Sequence, residues 1–278
     1  MNFPKFWSRG EQKGFHAWGW SNESIAQAKA LGMEVAGRIA ERFASGDLQR
    51  ARRYEYGDRP LREEVLREFR YGAEVTAVIT RNSYGCLVLN TARLMFVDVD
   101  LGEPPASGGF LGNLFGAKKS VAAYAAAKQA VLARAEEWTQ QNPGWGWRIY
   151  ETRAGLRLMA VHRGFGSADP VCETVFERLN ADPLYRRLCR HQKCFRARLT
   201  PKPWRCGAAP VPGRWPWEND RALHSFQEWE RRYLASAAQF STCRLIGELG
   251  SKLAAPEFQE LIATHDEVTG AMSASPLA

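Results

Sequence analysis

The chain has 278 residues, of which 45% are hydrophobic and 24% charged, and this balance excludes a wholly disordered protein. Its formal net charge of +8 favours polyanionic partners, although charge alone identifies neither a fold nor a partner. The longest apolar runs, at 120–135 and 236–249, are interrupted by Lys, Arg or Glu, so the sequence predicts no membrane span and no membrane partner.

The N-terminal segment contains aromatic residues where a secretory signal would have a continuous apolar core, and it has no small-residue cleavage site. We therefore interpret it as an aromatic arm of the mature protein. After the cap residue Ser24, apolar residues recur at helical spacing over 25–43, which predicts an amphipathic helix. A shorter helix is predicted over 59–69, so residues 1–72 are predicted to form an N-terminal aromatic arm and helical part.

Strand predictions begin at 74–80, where β-branched residues are frequent. A turn at 82–85 separates this strand from two further strands, at 86–89 and 93–98. The last of them is apolar until it ends in carboxylates. This run of short strands indicates a sheet that begins near residue 73.

The remaining predicted elements are a helix at 121–139, a hairpin of strands 145–151 and 156–162, helices at 169–179, 182–190 and 221–239, and strands at 195–199 and 242–248. The tail after Gly270 is expected to be disordered. These patterns predict an α+β fold with a core over 73–250, followed by a C-terminal helix and flexible tail over 251–278.

Asp98 and Asp100 are the candidate catalytic and metal-binding residues. Side chains alternate across a strand with a period of two, so carboxylates at i and i+2 point to the same face. Such a pair suits Mg²⁺ or Mn²⁺, and two ions held in this way can support phosphoryl transfer. A glycine- and proline-rich loop at 102–119 follows directly. Loops that follow such strands often carry functional residues. The alternative is a solvated strand end.

The predicted hairpin offers candidate nucleotide-binding residues. It turns at Arg153-Ala154-Gly155, and its return strand begins with a second cation, Arg157. Arginine binds phosphate oxygens through paired hydrogen bonds. We therefore expect Arg153 and Arg157, together with Thr152 beside the turn, to hold the phosphates of a nucleotide.

The order of these motifs resembles the catalytic core of archaeo-eukaryotic primases and primase-polymerases. In that family a hydrophobic strand carries an Asp-x-Asp metal motif, as 96–100 does here, and a later hairpin carries a Ser-x-His or Gly-x-His element that contacts the incoming nucleotide. The resemblance covers residues 74–162. It implies an RRM-like, mainly antiparallel catalytic sheet flanked by helices, an additional N-terminal α/β module, and templated nucleotidyl transfer in DNA replication or repair.

Two positions depart from the pattern of that family. Arg157 stands where the family usually has histidine, and it can bind phosphate but cannot supply imidazole chemistry near neutral pH. The family also uses a third acidic residue on a later strand, for which Asp169, Glu248 and Asp266 are candidates by chain order alone. The resemblance therefore also allows a descendant that binds without catalysing.

The segment 186–217 is basic, is rich in Pro and Trp, and contains no acidic residue. Basic side chains that follow phosphates, combined with aromatic rings that stack on bases, are typical of single-strand binding. The predicted nucleic-acid-binding residues are Arg190, Lys193, Arg196, Arg198, Lys202, Trp204 and Arg205. The interleaved aromatic residues, counted from the preceding helix, are Tyr185, Phe195, Trp204, Trp215 and Trp217. The alternative is that these rings form a core and the arginines its solvated rim.

The six cysteines are dispersed through a chain large enough to build its own core, which predicts reduced thiols in a cytoplasmic protein rather than a secreted disulfide scaffold. Cys189, His191, Cys194 and Cys206 could in principle bind zinc. Their irregular spacing is not that of a structural zinc site, so zinc is not expected.

Three functional hypotheses remain open on the sequence. The first is a nucleotidyltransferase of diverged primase-polymerase type, which uses Mg²⁺ or Mn²⁺, a nucleoside triphosphate and a single strand or primer-template. The second is a non-catalytic nucleic-acid-binding protein with a degenerate cleft of the same kind. The third is a metal-dependent nuclease, because an acidic pair near a basic groove suits phosphodiester cleavage equally well.

Overall fold

A computed structural model of the protein describes residues 1–46, 59–103 and 117–278. The N-terminal residues form a β-hairpin rather than an extended arm: β1 (Phe6–Gln12) pairs antiparallel with β2 (Phe15–Ser21). Lys13 and Gly14 both have positive φ, as the tight two-residue hairpin turn requires. The sequence did not predict this hairpin, because its pattern of buried rings and glycines does not alternate cleanly.

The first helix, α1 (Ile25–Ala44), packs across this hairpin, and its start at the Ser24 cap confirms the sequence prediction. The Ser24 side chain accepts a hydrogen bond from the backbone N–H of Gln27. Helix and hairpin approach closely at glycines. A Cβ on Gly19 would lie 2.1 Å from the carbonyl oxygen of Ala28, so a larger residue there would push α1 away.

Two four-stranded antiparallel sheets form the centre of the molecule. The first, here called the meander sheet, has the order β3 (Glu64–Tyr71), β4 (Glu74–Arg81), β5 (Leu87–Thr91) and β9 (Phe195–Arg198). The predicted helix over 59–69 is wrong, because β3 occupies most of it. A tight turn at Gly72, with a φ of 61°, returns the chain so that β3 pairs with β4 along its length.

The second sheet, here called the hairpin sheet, has the order β10 (Cys243–Gly250), β7 (Gly146–Thr152), β8 (Gly155–Ala160) and β6 (Met95–Asp100). The predicted hairpin and its turn at Arg153 are confirmed as β7 and β8. A long helix, α2 (Ala117–Gln141), connects β6 to β7. The part of the predicted 102–119 loop between 104 and 116 lies outside the described residues.

The four helices that follow β8 in the chain confirm the sequence predictions. They are α3 (Pro170–Arg178), α4 (Pro183–Gln192), α5 (Asp220–Ala237) and α6 (Gln259–Thr269). The described residues thus contain six α-helices and antiparallel sheets, and this confirms the predicted α+β class. None of the helices in the described ranges is long and apolar enough to cross a membrane.

One large hydrophobic core joins both sheets to α2, α3, α4 and α6, and its largest buried side chains include Trp147, Phe96 and Phe176. A smaller core lies under α5, where Phe226, Trp229 and Tyr233 pack against the Pro/Trp-rich segment. Buried aromatic side chains contribute a large part of the burial energy in such cores. The large core contains side chains from both sheets, so its burial stabilises the packing of one sheet against the other.

The C-terminal tail is ordered, so the prediction of disorder after Gly270 is wrong. Leu277 forms a parallel bridge with Ser241, and the backbone N–H of Ala278 donates to the carbonyl oxygen of Ser241 at 3.0 Å. Ala278 itself is buried. These contacts lie far apart in sequence, and for that reason the local pattern gave no indication of them.

Candidate functional site

The acidic pair lies on β6, at the edge of the hairpin sheet. Val97 and Val99 are buried on one face, while Asp98 and Asp100 share the other, as the sequence predicted. Asp100 is exposed, and its Oδ1 accepts a hydrogen bond from the backbone N–H of Gly102 at 2.8 Å. Asp98 stands directly opposite Arg157 of β8 in the strand register.

Arg157 binds both oxygens of the Asp98 carboxylate. Its Nε donates to Oδ1 at 2.8 Å and its Nη2 donates to Oδ2 at 3.2 Å. The Arg157 side chain is only 3% exposed, against 32% for Asp98. Burial by itself would lower the pKa of Arg157, but the neighbouring Asp98 carboxylate more than offsets this and holds the pKa above its ordinary value. Arg157 is therefore charged, and its two hydrogen bonds hold Asp98 in a fixed geometry.

The third nitrogen of Arg157, Nη1, also has partners. Its Nη1 donates to the carbonyl oxygen of Arg198 on β9 at 3.1 Å and lies 3.4 Å from Nε2 of His265. Arg157 thus links the hairpin sheet to the edge strand of the meander sheet. A guanidinium whose hydrogen bonds are satisfied within the protein is not available to a triphosphate, which is the role that the sequence assigned to Arg157.

The three candidates for a third metal-binding carboxylate all have partners of their own. Asp266 accepts hydrogen bonds from Tyr150 at 2.7 Å, from Arg148 at 2.6 Å and from His265 at 2.9 Å. Glu248 binds Arg148 at 2.6 Å. Asp169 accepts from the backbone N–H of Gly166 at the start of α3. The described residues contain no group of three or more His, Cys, Asp or Glu that could hold a metal ion.

His265 connects Arg157 to Asp266 in a buried polar network. Its Nε2 faces a guanidinium, which can only donate, so its proton is on Nδ1 and is donated to Asp266. Burial lowers the pKa of His265, and the positive charge of Arg157 lowers it further. The neutral imidazole therefore acts as a fixed spacer between two charged side chains.

The basic residues of the 186–205 segment do not lie on one surface. Arg190 is exposed and binds Glu173 at 2.7 Å, and Lys193 is exposed at the left-handed C-cap of α4. Arg196 is largely buried and donates to both oxygens of Glu63, at 2.8 and 3.0 Å. Its charge is therefore satisfied within the protein rather than presented to a phosphate.

Three of the predicted nucleic-acid-binding residues come together on a short 3-10 helix, Pro203–Arg205, and the residue before it. Trp204 is 57% exposed, and its ring meets that of Tyr84 edge to face with the centroids 5.3 Å apart. The Nζ of Lys202 lies 5.4 Å from the Trp204 ring centroid. We call Tyr84, Lys202, Trp204 and Arg205 the Trp204 platform.

The platform lies in a positive field. Burial lowers the pKa of Lys202, and Arg198 and Arg205 lower it further, because three cations share one region. Arg198, on β9, is also largely buried; burial and then Arg157 lower its pKa. An anion that entered this region would relieve the repulsion among these side chains.

Arg153 meets the platform through an acidic residue. Glu103 accepts a hydrogen bond from Nε of Arg153 at 3.1 Å, and its second oxygen is bound by Nη2 of Arg205. Burial acts against ionisation, but the hydrogen bonds from Arg205 and Arg153 lower the pKa of Glu103. Thr152, at the end of β7, is half-buried beside this group.

Of the interleaved aromatic residues, only Trp204 is strongly exposed. Tyr185 and Phe195 are part of the large core, and Trp217 stacks on Phe226 with the centroids 4.3 Å apart. Trp215 lines a cavity of about 650 Å³ between the N-terminal segment and β3. The prediction that these rings form a core therefore holds for Tyr185, Phe195 and Trp217, whereas Trp204 is left exposed.

Sequence reasoning missed Tyr84 and Glu103 as members of the site. Tyr84 was assigned only to a turn, and it is 120 positions from Trp204 in the chain. An exposed aromatic residue in a turn is a weak signal by itself. Only the pairing of β5 with β9, which brings the turn beside the basic segment, shows that the two rings meet.

The four possible zinc ligands are not assembled into a site. Cys189 and Cys194 are buried in the large core region, His191 is exposed, and Cys206 belongs to the smaller core under α5. All six cysteines are unpaired and buried.

No family model matches this chain, and neither a curated protein nor a solved structure is significantly similar to it.

Proposed function

We propose that this protein binds single-stranded nucleic acid without catalysing a reaction on it, through a cleft related to that of primases. The observation that carries the proposal is the bidentate contact between Asp98 and the buried Arg157. In the catalytic core of primases and primase-polymerases, which the sequence resembles, a metal ion would neutralise that carboxylate. Here a guanidinium supplies the positive charge, so the acidic strand persists as a structural element.

The strand order supports the primase-like interpretation of the hairpin sheet. Since β6 and β7 both pair antiparallel with β8, they run parallel to each other, and α2 makes the crossover between them. This is the split β-α-β unit found in ferredoxin-like and RRM-like sheets. The final strand, β10, joins the sheet beside β7 and away from the acidic pair.

The Trp204 platform supports nucleic acid as the partner. An exposed indole beside Lys202 and Arg205 offers one surface for a base and two cations for phosphates. Base stacking on aromatic side chains tolerates any sequence, and basic side chains follow the backbone. The net charge of +8 acts in the same direction by attracting polyanions. The six unpaired thiols suit a reducing compartment such as the cytoplasm.

Templated nucleotidyl transfer is the second candidate function. One observation favours it. Asp100 is exposed on the same face as Asp98, and its carboxylate accepts a hydrogen bond from a backbone N–H rather than from a cationic side chain. Mg²⁺ or Mn²⁺ would bind to Asp98 and Asp100 after Arg157 had moved away from Asp98. A nuclease would need the same change, so one assay tests both reactions.

The test is the binding of a fluorescent single-stranded oligonucleotide, measured by anisotropy in EDTA and in Mg²⁺ over a range of salt concentrations. We expect wild-type binding that needs no Mg²⁺ and that weakens as salt rises. Trp204→Ala should weaken it about tenfold, because one stacked base contributes roughly 1–3 kcal/mol. Phe43→Ala, which removes a similarly exposed ring on α1, should change it less than about twofold.

Two outcomes would overturn this proposal. One is the absence of salt-dependent binding to any single strand. The other is a metal-dependent extension or cleavage of the labelled strand that Asp98→Asn abolishes, which would select the catalytic reading instead.

A further inference from the structure

Glu103 holds together two arginines from distant parts of the chain. Its carboxylate binds Arg153, which lies in the turn between β7 and β8, and Arg205, which ends the 3-10 helix. One carboxylate oxygen goes to each guanidinium. This is the contact that a phosphate group makes when two arginines bind it from opposite sides.

Arg205 is the most firmly positioned member of this group, and the Arg153 side chain, 45% exposed, is slightly less accessible than the carboxylate. The Arg205 side chain is only 13% exposed, and it follows the buried residue Pro203 on a closed helical turn. Arg153 belongs to a two-residue hairpin turn between paired strands, and its Nη1 also reaches the carbonyl oxygen of Leu277 at 3.4 Å. The Glu103 side chain is 55% exposed, so water and ions can reach it. The acid is therefore the member of the group that an incoming anion can replace.

We propose that Arg153 and Arg205 form a phosphate site for a nucleic-acid strand, and that the Glu103 carboxylate occupies this site until the strand displaces it. The inference rests on the proposed function and adds to it the position of one phosphodiester and a competing group within the chain. The displaced Glu103 side chain is already largely exposed, so its hydration costs little.

The neighbouring residues favour a phosphodiester over an isolated phosphate or a triphosphate. Trp204 precedes Arg205 on the same helical turn and presents its ring to solvent beside Tyr84. A nucleotide whose base stacks on this ring has its own phosphate within reach of the adjacent Arg205. Inorganic phosphate has no base to use the platform, and the single acid Glu103 matches the single charge of a phosphodiester.

The decisive variant is Glu103→Gln, which keeps the shape of the side chain and removes its charge. Strand affinity at moderate salt should rise about fivefold, because the carboxylate no longer competes with the phosphate for Arg153 and Arg205. The salt dependence should steepen by about one unit in the slope of log K against log salt concentration, because no displaced carboxylate then takes up a counter-cation when the strand binds. Arg205→Gln should weaken binding, and in the Glu103→Gln background it should cancel the gain.

Glu260→Gln is the matched control. Glu260 is a similarly exposed acid that binds one arginine, Arg67, at 2.9 Å, so its substitution makes the same change in net charge. It should alter strand affinity by less than about twofold. An equal gain in both variants would mean that only net charge matters, and it would overturn the site.

The remaining outcomes are equally decisive. If Glu103 only positions Arg205, Glu103→Gln will weaken binding or leave it unchanged, and the inference fails while the proposed function stands. If a nucleoside triphosphate or inorganic phosphate binds Glu103→Gln tightly while the strand gains nothing, the ligand class is wrong. If no variant and no wild-type protein binds a strand, the proposed function fails and this site fails with it.

Discussion

The pairing of Asp98 with the buried Arg157 has a consequence for stability. Carboxylates grouped around an absent metal repel one another, so removing one of them stabilises the protein. A carboxylate paired with a buried guanidinium behaves in the opposite way, because its removal leaves a charge in a medium of low polarity. Arg157 is nearly inaccessible, and within the described parts of the chain Asp98 is its only acidic partner. Stability therefore distinguishes the two readings of β6 without any assay of activity.

We predict that Asp98→Ala lowers the free energy of unfolding by about 3 kcal/mol, the range found when one member of a buried pair is removed. The double variant Asp98→Ala with Arg157→Met should be more stable than Asp98→Ala alone, because no charge is then stranded. Asp100→Ala, on the same face but exposed, should cost less than about 1 kcal/mol. Urea denaturation measures all three, and a stabilised Asp98→Ala protein would favour a metal site.

At the scale of elements, Tyr185 of α4 joins the two sheets. Its hydroxyl donates to the carbonyl oxygen of Phe96 on β6 at 3.0 Å and accepts from the backbone N–H of Arg196 on β9 at 3.5 Å. The edge strands of the two sheets lie next to each other here, and a side chain supplies hydrogen bonds that a strand would otherwise supply. Together with Arg157, Tyr185 fixes the distance between the acidic pair and the basic strand β9.

We expect Tyr185→Phe to destabilise the protein by about 1–3 kcal/mol, because two buried backbone groups lose their partner while the ring remains in the core. Tyr71→Phe, which removes an exposed hydroxyl on β3, should change stability by less than about 0.5 kcal/mol. Thermal unfolding compares the two variants. Equal effects would show that the hydroxyl of Tyr185 does not hold the sheets together.

Elements with a clear periodic pattern were predictable, and elements fixed by distant pairing were not. The cap at Ser24 and the apolar spacing after it led to α1, and the turn at Arg153 led to the hairpin sheet. The region of β3 contains charged and apolar residues in an order that suits a helix equally well. It becomes a strand because β4 pairs with it, and that pairing is a tertiary preference that overrides local propensity.

At the scale of the whole molecule, the sequence located the acidic strand and the basic segment but not the contacts between them. Asp98 lies opposite Arg157 because β8 stands between β7 and β6 in the sheet, and the two residues are 59 positions apart in the chain. The ionic partners of Arg196 and Arg205 are similarly remote in the chain. A basic stretch therefore predicts a positive region, whereas the share of its charge left for a ligand depends on how the entire chain folds.

The buried polar groups of the whole molecule predict how its stability depends on pH. Burial lowers the pKa of both His265 and His162 below the ordinary value of 6.5. In the unfolded chain these side chains bind protons as the pH falls through 6.5, while in the folded protein they bind them only at lower pH. The unfolded state thus binds more protons in this window, so stability is complete above pH 6.5 and declines below it. Each histidine contributes a slope of up to about 1.4 kcal/mol per pH unit.

We predict that His265→Asn reduces this decline between pH 7.5 and 5.5. The asparagine amide can still donate to Asp266, and the variant has one buried titrating group fewer. Its absolute stability is lower because a ring is lost from the core, so the quantity to compare is the change in unfolding free energy with pH. The groups that face the ring remain in both proteins; they are Arg157, Asp266, Tyr150 and Cys243.

Urea denaturation at several pH values measures the slope, with His191→Asn on the exposed side of α4 as the control. A slope equal to that of the wild-type protein would show that His265 takes up a proton in the folded state as readily as in the unfolded chain, and below pH 6.5 the buried network would then carry one more positive charge next to Arg157.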